Sequence, residues 1–145
     1  MKVGVIFPSR LDEPGEFLAD ARAMEAAGAD SVWLEEDGGS LDPLMLLAAI
    51  AAVTGQLRLG LIRPEPPSGM GFETLQRLSR QRVITDNERW RRVEVPADRD
   101  AWATTLEQAQ PDFDGVLVPM DPRLLDILRH PDDVIDRSDL LVAQG

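Results

Sequence analysis

Apolar residues in the first third of the chain fall into short runs that alternate with stretches of helical spacing. Val3, Val5 and Phe7 alternate with Gly4 and Ile6, so both faces of the opening run are apolar, as in a strand buried inside a parallel sheet. Phe17, Ala21, Met24 and Ala27 then recur at helical spacing. Asp12 is the candidate N-cap of this helix, Pro14 its first-turn proline, and Gly28 stands where a C-terminal cap belongs. Residues 31–35 read as a second strand. The unit then repeats: Asp42-Pro43 is a cap followed by a first-turn proline, residues 44–54 are almost wholly apolar and helix-forming, Gly55 ends them, and residues 57–62 form a third strand. A helix so apolar must be covered on nearly every side. Strands and helices alternating with short links predict right-handed crossovers and a mainly parallel sheet.

The middle of the chain breaks this rhythm. Residues 63–71 hold three prolines and two glycines (Pro64, Pro66, Pro67, Gly69, Gly71) and read as a loop at the C-terminal end of the third strand. A short helix over 72–80, a strand over 82–85 and a turn at 86–88 follow. Residues 91–95 alternate like a strand with one wet face, which predicts an edge or antiparallel position. Asp98 caps a predicted helix running to about Ala109, with Trp102 and Leu106 on one face. Residues 114–119 form an apolar strand, Asp121-Pro122 opens a helix over 123–129, and residues 140–143 are a final strand or a docked tail. No linker is long enough to divide the chain, so residues 1–145 are expected to form a single α/β domain.

Composition narrows the function classes. A net charge of −11, from 15 Lys and Arg against 26 Asp and Glu, repels phosphate and argues against nucleic acid or an anionic membrane as partner. No cysteine is present, which excludes thiolate metal sites, disulfides and a Cys nucleophile. With one histidine, His130, a two-histidine metal site within one chain is excluded too, and no metal is expected. The apolar start is too short for a signal peptide or membrane span, so a soluble cytoplasmic protein is expected.

Three stretches together resemble the luciferase-like, flavin- or deazaflavin-dependent monooxygenase family: residues 2–8, residues 26–36 ending in Glu35-Glu36, and Asp42-Pro43-Leu44 with Leu47-Ala48-Ala49, Ala51-Ala52, Thr54 and Leu57-Arg58-Leu59-Gly60. They cover roughly residues 1–62. A weaker echo follows in Thr74-Leu75, Arg77-Leu78-Ser79 and Arg82-Val83. The resemblance implies a (β/α) TIM-barrel-like fold with FMN or a deazaflavin at the C-terminal mouth of the strands, and oxidoreductase chemistry supplied by that cofactor. At 145 residues the chain is too short for a full eight-unit barrel, which typically needs about 250 residues, so a truncated or incomplete barrel is expected. Where many family members place histidine after the acid ending the second strand, this sequence has Asp37-Gly38-Gly39.

Several residues are candidates for chemistry, each with a plainer alternative. Glu35, Glu36 and Asp37 cluster at a strand's C-terminal end, where one can act as a general base or ligand partner, or all can line a solvated turn. Arg63 is placed to meet a cofactor phosphate, or else to pair with the local acids. Ser68 and Gly69, with Met70-Gly71, can expose N–H groups ahead of a helix, or form an ordinary flexible loop. His130 fits a helix-end cap rather than catalysis. Trp33 reads as core, Trp90 and Trp102 as core or interface, and no catalytic residue is assigned. Two functions follow: an oxidoreductase or binding protein holding FMN or a deazaflavin with Glu36, Arg63, Ser68 and Gly69 near it, or a catalytically inactive relative acting as an interaction or assembly subunit. An incomplete barrel leaves edges and apolar surface to cover, which predicts a homodimer or higher oligomer through residues 44–53 or 90–102.

Overall fold

Lys2–Phe7 (β1), buried on both faces as its composition requires, is the central strand of a five-stranded sheet. The computed structural model describes residues 1–8, 14–36, 41–65, 68–85 and 87–129. The remaining elements are α1 (Pro14–Ala26), β2 (Ser31–Glu35), α2 (Pro43–Val53), β3 (Arg58–Ile62), α3 (Met70–Leu78), β4 (Trp90–Arg92), α4 (Arg99–Ala109), β5 (Gly115–Pro119) and α5 (Arg123–Leu128). Local signals set the end of α1 and the starts of α2 and α4 where the sequence predicts. The Asp42 carboxylate accepts from Leu44 N–H at 2.9 Å and Asp98 from Ala101 N–H at 2.8 Å. Gly28, at φ 96°, lets the Ala29 N–H fold back to the Met24 carbonyl and close α1.

All four strand ladders are parallel, in the order β3-β2-β1-β5-β4. A single parallel bridge, Leu59 to Val83, adds a rudimentary strand outside β3. In a closed (β/α) barrel the last strand pairs with the first. Here β5 takes that place beside β1, and β4 the place before it. Only residues 84–89 separate Val83 from Trp90, where a full barrel would carry further strand–helix units. The fold is therefore an incomplete TIM-barrel-like half-barrel, shortened from within. Its curl is visible in side chains: Arg92 of β4 reaches Glu35 of β2 although β5 and β1 lie between them in the sheet.

Alternation along the strands divides the core in two. Val3, Val5, Phe7, Val32, Leu34, Leu59, Val116 and Val118 face the helices and pack with Phe17, Met24, Leu47, Ile50, Leu75 and Trp102. Ile6, Trp33 and Leu117 face the concave side with Ile62, Ile84 and Trp90.

Three expectations are revised. The strand expected over 82–85 shrinks to the Val83 bridge, because the chain turns away towards Glu88, which is held by Arg58 and Lys2. Strand β4 keeps the expected edge position, but it pairs in parallel and spans only Trp90–Arg92 in place of 91–95. Helix α3 starts at Met70 and not at Phe72, after Gly69 takes a positive φ of 96°. The candidate cap Asp12, Asp37, His130 and the tail at 140–143 lie outside the described residues.

Candidate functional site

The concave side of the sheet is filled in layers. At the N-terminal ends of the strands, Glu88 accepts from Arg58 at 2.6 Å and pairs with Lys2 at 3.3 Å, while Arg58 also meets Asp30 at 2.8 Å. The hydrogen bond from Arg58 draws the Glu88 carboxyl below its ordinary range, against the opposing effect of burial and with help from Lys2. The same partnership pushes the Arg58 guanidinium up. This network seals one end of the half-barrel.

Two indoles occupy the middle layer. Trp33 and Trp90 meet edge to face, with ring centroids 5.2 Å apart, and Trp33 Nε1 donates to Ser31 Oγ at 2.8 Å. Three glycines make room for them. A Cβ on Gly4 would come within 2.5 Å of Trp33 Nε1, one on Gly60 would land inside the Trp33 ring, and one on Gly115 would land against the Trp90 ring. Trp90 Nε1 is buried with no hydrogen-bond partner among the described residues.

The C-terminal mouth, where barrel sites lie, has Ile6 and Ile62 beneath a rim of ion pairs. Arg63 donates through Nε to Glu36 Oε2 at 2.7 Å. Arg92 spans to Glu35 at 3.3 Å through both terminal nitrogens. Arg123 pairs with Asp121 at 3.1 Å, which lowers the Asp121 carboxyl and raises the guanidinium. Each of these rim arginines thus has a carboxylate of its own.

Two predicted site residues, Glu36 and Arg63, are brought together, but as partners of each other. Ser68 and Gly69 are exposed at the start of α3, and no described hydrogen bond or ion pair joins them to Arg63 or Glu36. Glu35 faces the concave side and pairs with Arg92. Sequence reasoning missed Arg92 and the inward position of Trp90. The available signal was the spacing of Trp90 and Arg92 two residues apart, on one face of a strand. Trp102 belongs to the outer core, on α4.

A flavin phosphate carries about two negative charges and calls for unpaired donors. Glu35, Glu36, Arg63 and Arg92 sum to zero, in a chain whose net charge is −11. A flavin ring needs an apolar slot, yet Trp33 and Trp90 already fill the layer under the rim. The described residues do not fit the cofactor. Among them, no group of three or more His, Cys, Asp or Glu is placed to hold a metal ion, and no helix is long and apolar enough to cross a membrane.

Comparison with known proteins locates the chain among families. The family model described as luciferase-like monooxygenase matches residues 1–84, beyond β3 and through the Val83 bridge. No curated protein matches the chain at a significant level. Among solved structures, an rRNA methyltransferase from Sinorhizobium meliloti superposes with a TM-score of 0.39 at 18% identity, over 81% of this chain and 39% of its own. This chain thus spans well under half of that protein, and a likeness of that size carries no argument.

Proposed function

Because the chain belongs to the luciferase-like monooxygenase family, we propose that it keeps the family's barrel scaffold as a cytoplasmic assembly subunit and has given up flavin chemistry. The observation that carries this reading is the self-satisfied mouth. Arg63 and Arg92 are each neutralised by a carboxylate, above a concave face packed by Trp33 and Trp90. A phosphate approaching Arg63 must displace Glu36 and then sit beside it, so the attraction of one charge is offset by the repulsion of the other. Titration with FMN and with the deazaflavin, followed by fluorescence, is expected to show no saturable binding up to high micromolar concentration. The purified protein is expected to be colourless. Saturable binding that Arg63→Ala abolishes would overturn the proposal.

One observation favours the alternative of retained flavin binding. The Glu36 side chain is 43% exposed, and ion pairs of that exposure are worth about 0–1 kcal/mol, little enough for a phosphate to displace. Under that alternative Glu36→Gln frees Arg63 and tightens FMN binding. Under the assembly reading Glu36→Gln leaves FMN unbound.

A further inference from the structure

Strand β4 ends the sheet, and among the described residues no strand lies beyond it. The Asp114 N–H donates to the Arg89 carbonyl and the Val93 N–H to the Leu117 carbonyl, both at 2.8 Å. Residues 89 and 93 thus turn these backbone groups towards β5. Backbone groups alternate in direction along a strand, so the N–H and C=O groups of Trp90 and Arg92 point the other way, to the open edge. On the concave side of the sheet, Trp90 and Ile84 are only partly buried. Folded proteins cover, charge or pair such edges.

This edge is basic in an acidic chain. Arg89, Arg91 and Arg92 are all exposed, in a protein of net charge −11. Arg92 pairs with Glu35, and Arg91 lies over the Phe113 ring at 6.0 Å. Among the described residues neither Arg89 nor Arg91 forms an ion pair. Two copies meeting at this edge would set arginines against arginines, which makes a second copy a poor occupant. An extended acidic segment suits it, with main-chain bonds to the edge and carboxylates for the guanidinium groups.

The chain carries such a segment itself. The described residues end at Arg129, after α5, and residues 130–145 follow. They hold four aspartates, Asp132, Asp133, Asp136 and Asp139, against one arginine, Arg137, and then the apolar run Leu140-Leu141-Val142. Helix α5 adjoins α4, the helix that follows β4, because Arg99 of α4 donates to the Asp126 carbonyl at 2.7 Å. The stretch 130–139 reaches roughly 35 Å when extended, and passing one neighbouring helix takes only about 10 Å. A tethered segment also meets the edge at an effective concentration on the order of millimolar, ahead of any free peptide. We propose that residues 140–143 add to the open edge of β4 as a further strand, with the aspartates before them beside Arg89 and Arg91. Alternate side chains of that strand then fall over Trp90 on the concave side. The added strand covers an edge that a closed barrel would not have.

The inference depends neither on assembly nor on flavin binding, and residue-resolved amide hydrogen exchange of the full chain tests it. The Trp90 and Arg92 amides are expected to exchange slowly, like those of Arg91 and Val93 on the β5 side. Leu141→Pro combined with Val142→Pro removes two backbone donors from the added strand. Exchange at Trp90 and Arg92 should then speed up by about tenfold or more. Arg91 and Val93 should change by less than about threefold, which shows that the sheet itself survives. The protection should not vary with protein concentration, because the segment is tethered. Fast exchange at Trp90 and Arg92 in the unaltered chain, slow exchange that survives the proline changes, or protection that appears only at high concentration would each overturn the proposal. The last of these would assign the edge to a second copy.

Discussion

Gly60→Ala tests whether two tryptophans fill the concave side. The new methyl group would land 2.0 Å from the nearest atom of the Trp33 indole, so the ring must retreat by ~1.5–2 Å to restore a carbon contact of about 3.5–4.0 Å. Its ways out are blocked. Trp90 lies edge to face at 5.2 Å, and on the Gly4 side there is no room even for a Cβ. Moving the ring also breaks the bond from Nε1 to Ser31 Oγ. Overpacking of a tight core costs about 1–3 kcal/mol, the lost hydrogen bond about 1 kcal/mol and the disturbed aromatic pair about 0.5–1.5 kcal/mol. The expected loss is roughly 3–5 kcal/mol, against a total stability of about 5–15 kcal/mol for a domain. Urea unfolding followed by tryptophan fluorescence and by circular dichroism measures it. Gly55→Ala, where no atom lies within 4 Å of the new Cβ, is the control and should change little. Trp33→Leu in the Gly60→Ala background removes the obstacle and should recover part of the loss. A Gly60→Ala midpoint equal to that of the wild type would show that the indole is not where the packing argument needs it.

Further outcomes follow from the charged clamps. Glu88 is held below its ordinary value of 4.5, so its contribution is complete above that pH and is lost as pH falls through the lowered value. Stability should therefore drop in acid, and Glu88→Gln should flatten that slope and cost about 1 kcal/mol near neutrality, after allowance for solvent screening. Arg82 donates to the Ala51 carbonyl at 2.8 Å, the Leu57 carbonyl at 3.0 Å and Thr54 Oγ1 at 2.9 Å, closing the end of α2. Arg82→Met should lower stability by about 2–3 kcal/mol and speed amide exchange in the last turn of α2. Arg80 sits at φ 56°, a conformation that costs a non-glycine residue about 1 kcal/mol, and its charge opposes that of Arg82. Arg80→Gly should accordingly raise the unfolding midpoint, and a lowered midpoint would contradict this account.

The candidate site was legible only in part. Glu36 and Arg63 could be picked out because the ends of β2 and β3 are readable, and strand ends are where barrel sites lie. That they satisfy each other depends on register: the Glu36 N–H bonds to the Ile62 carbonyl, which sets its carboxylate beside Arg63, the residue that follows β3. Arg92 and Glu35 are 57 residues apart in the chain, and no local pattern couples them. Similarly, Glu25 looks like an ordinary helix residue. In the fold its carboxylate accepts from the N–H groups of Gly55, Gln56 and Leu57 at the entrance to β3. Burial alone would raise its pKa, but these bonds outweigh that effect and lower it.

The chain's own pattern determined the βαβαβ start, the helix caps at Asp42 and Asp98, the glycine turn at Gly28 and the parallel character of the sheet. These rest on interactions within a few residues, or on which face of each element is apolar. The tertiary structure alone decided that β5 returns beside β1, that Trp90 turns inward to meet Trp33, and that the arginines at the mouth are already paired. The physical reason is distance along the chain. Periodicity records which side of an element must be buried, whereas the neighbour found there depends on how tightly the whole sheet curls.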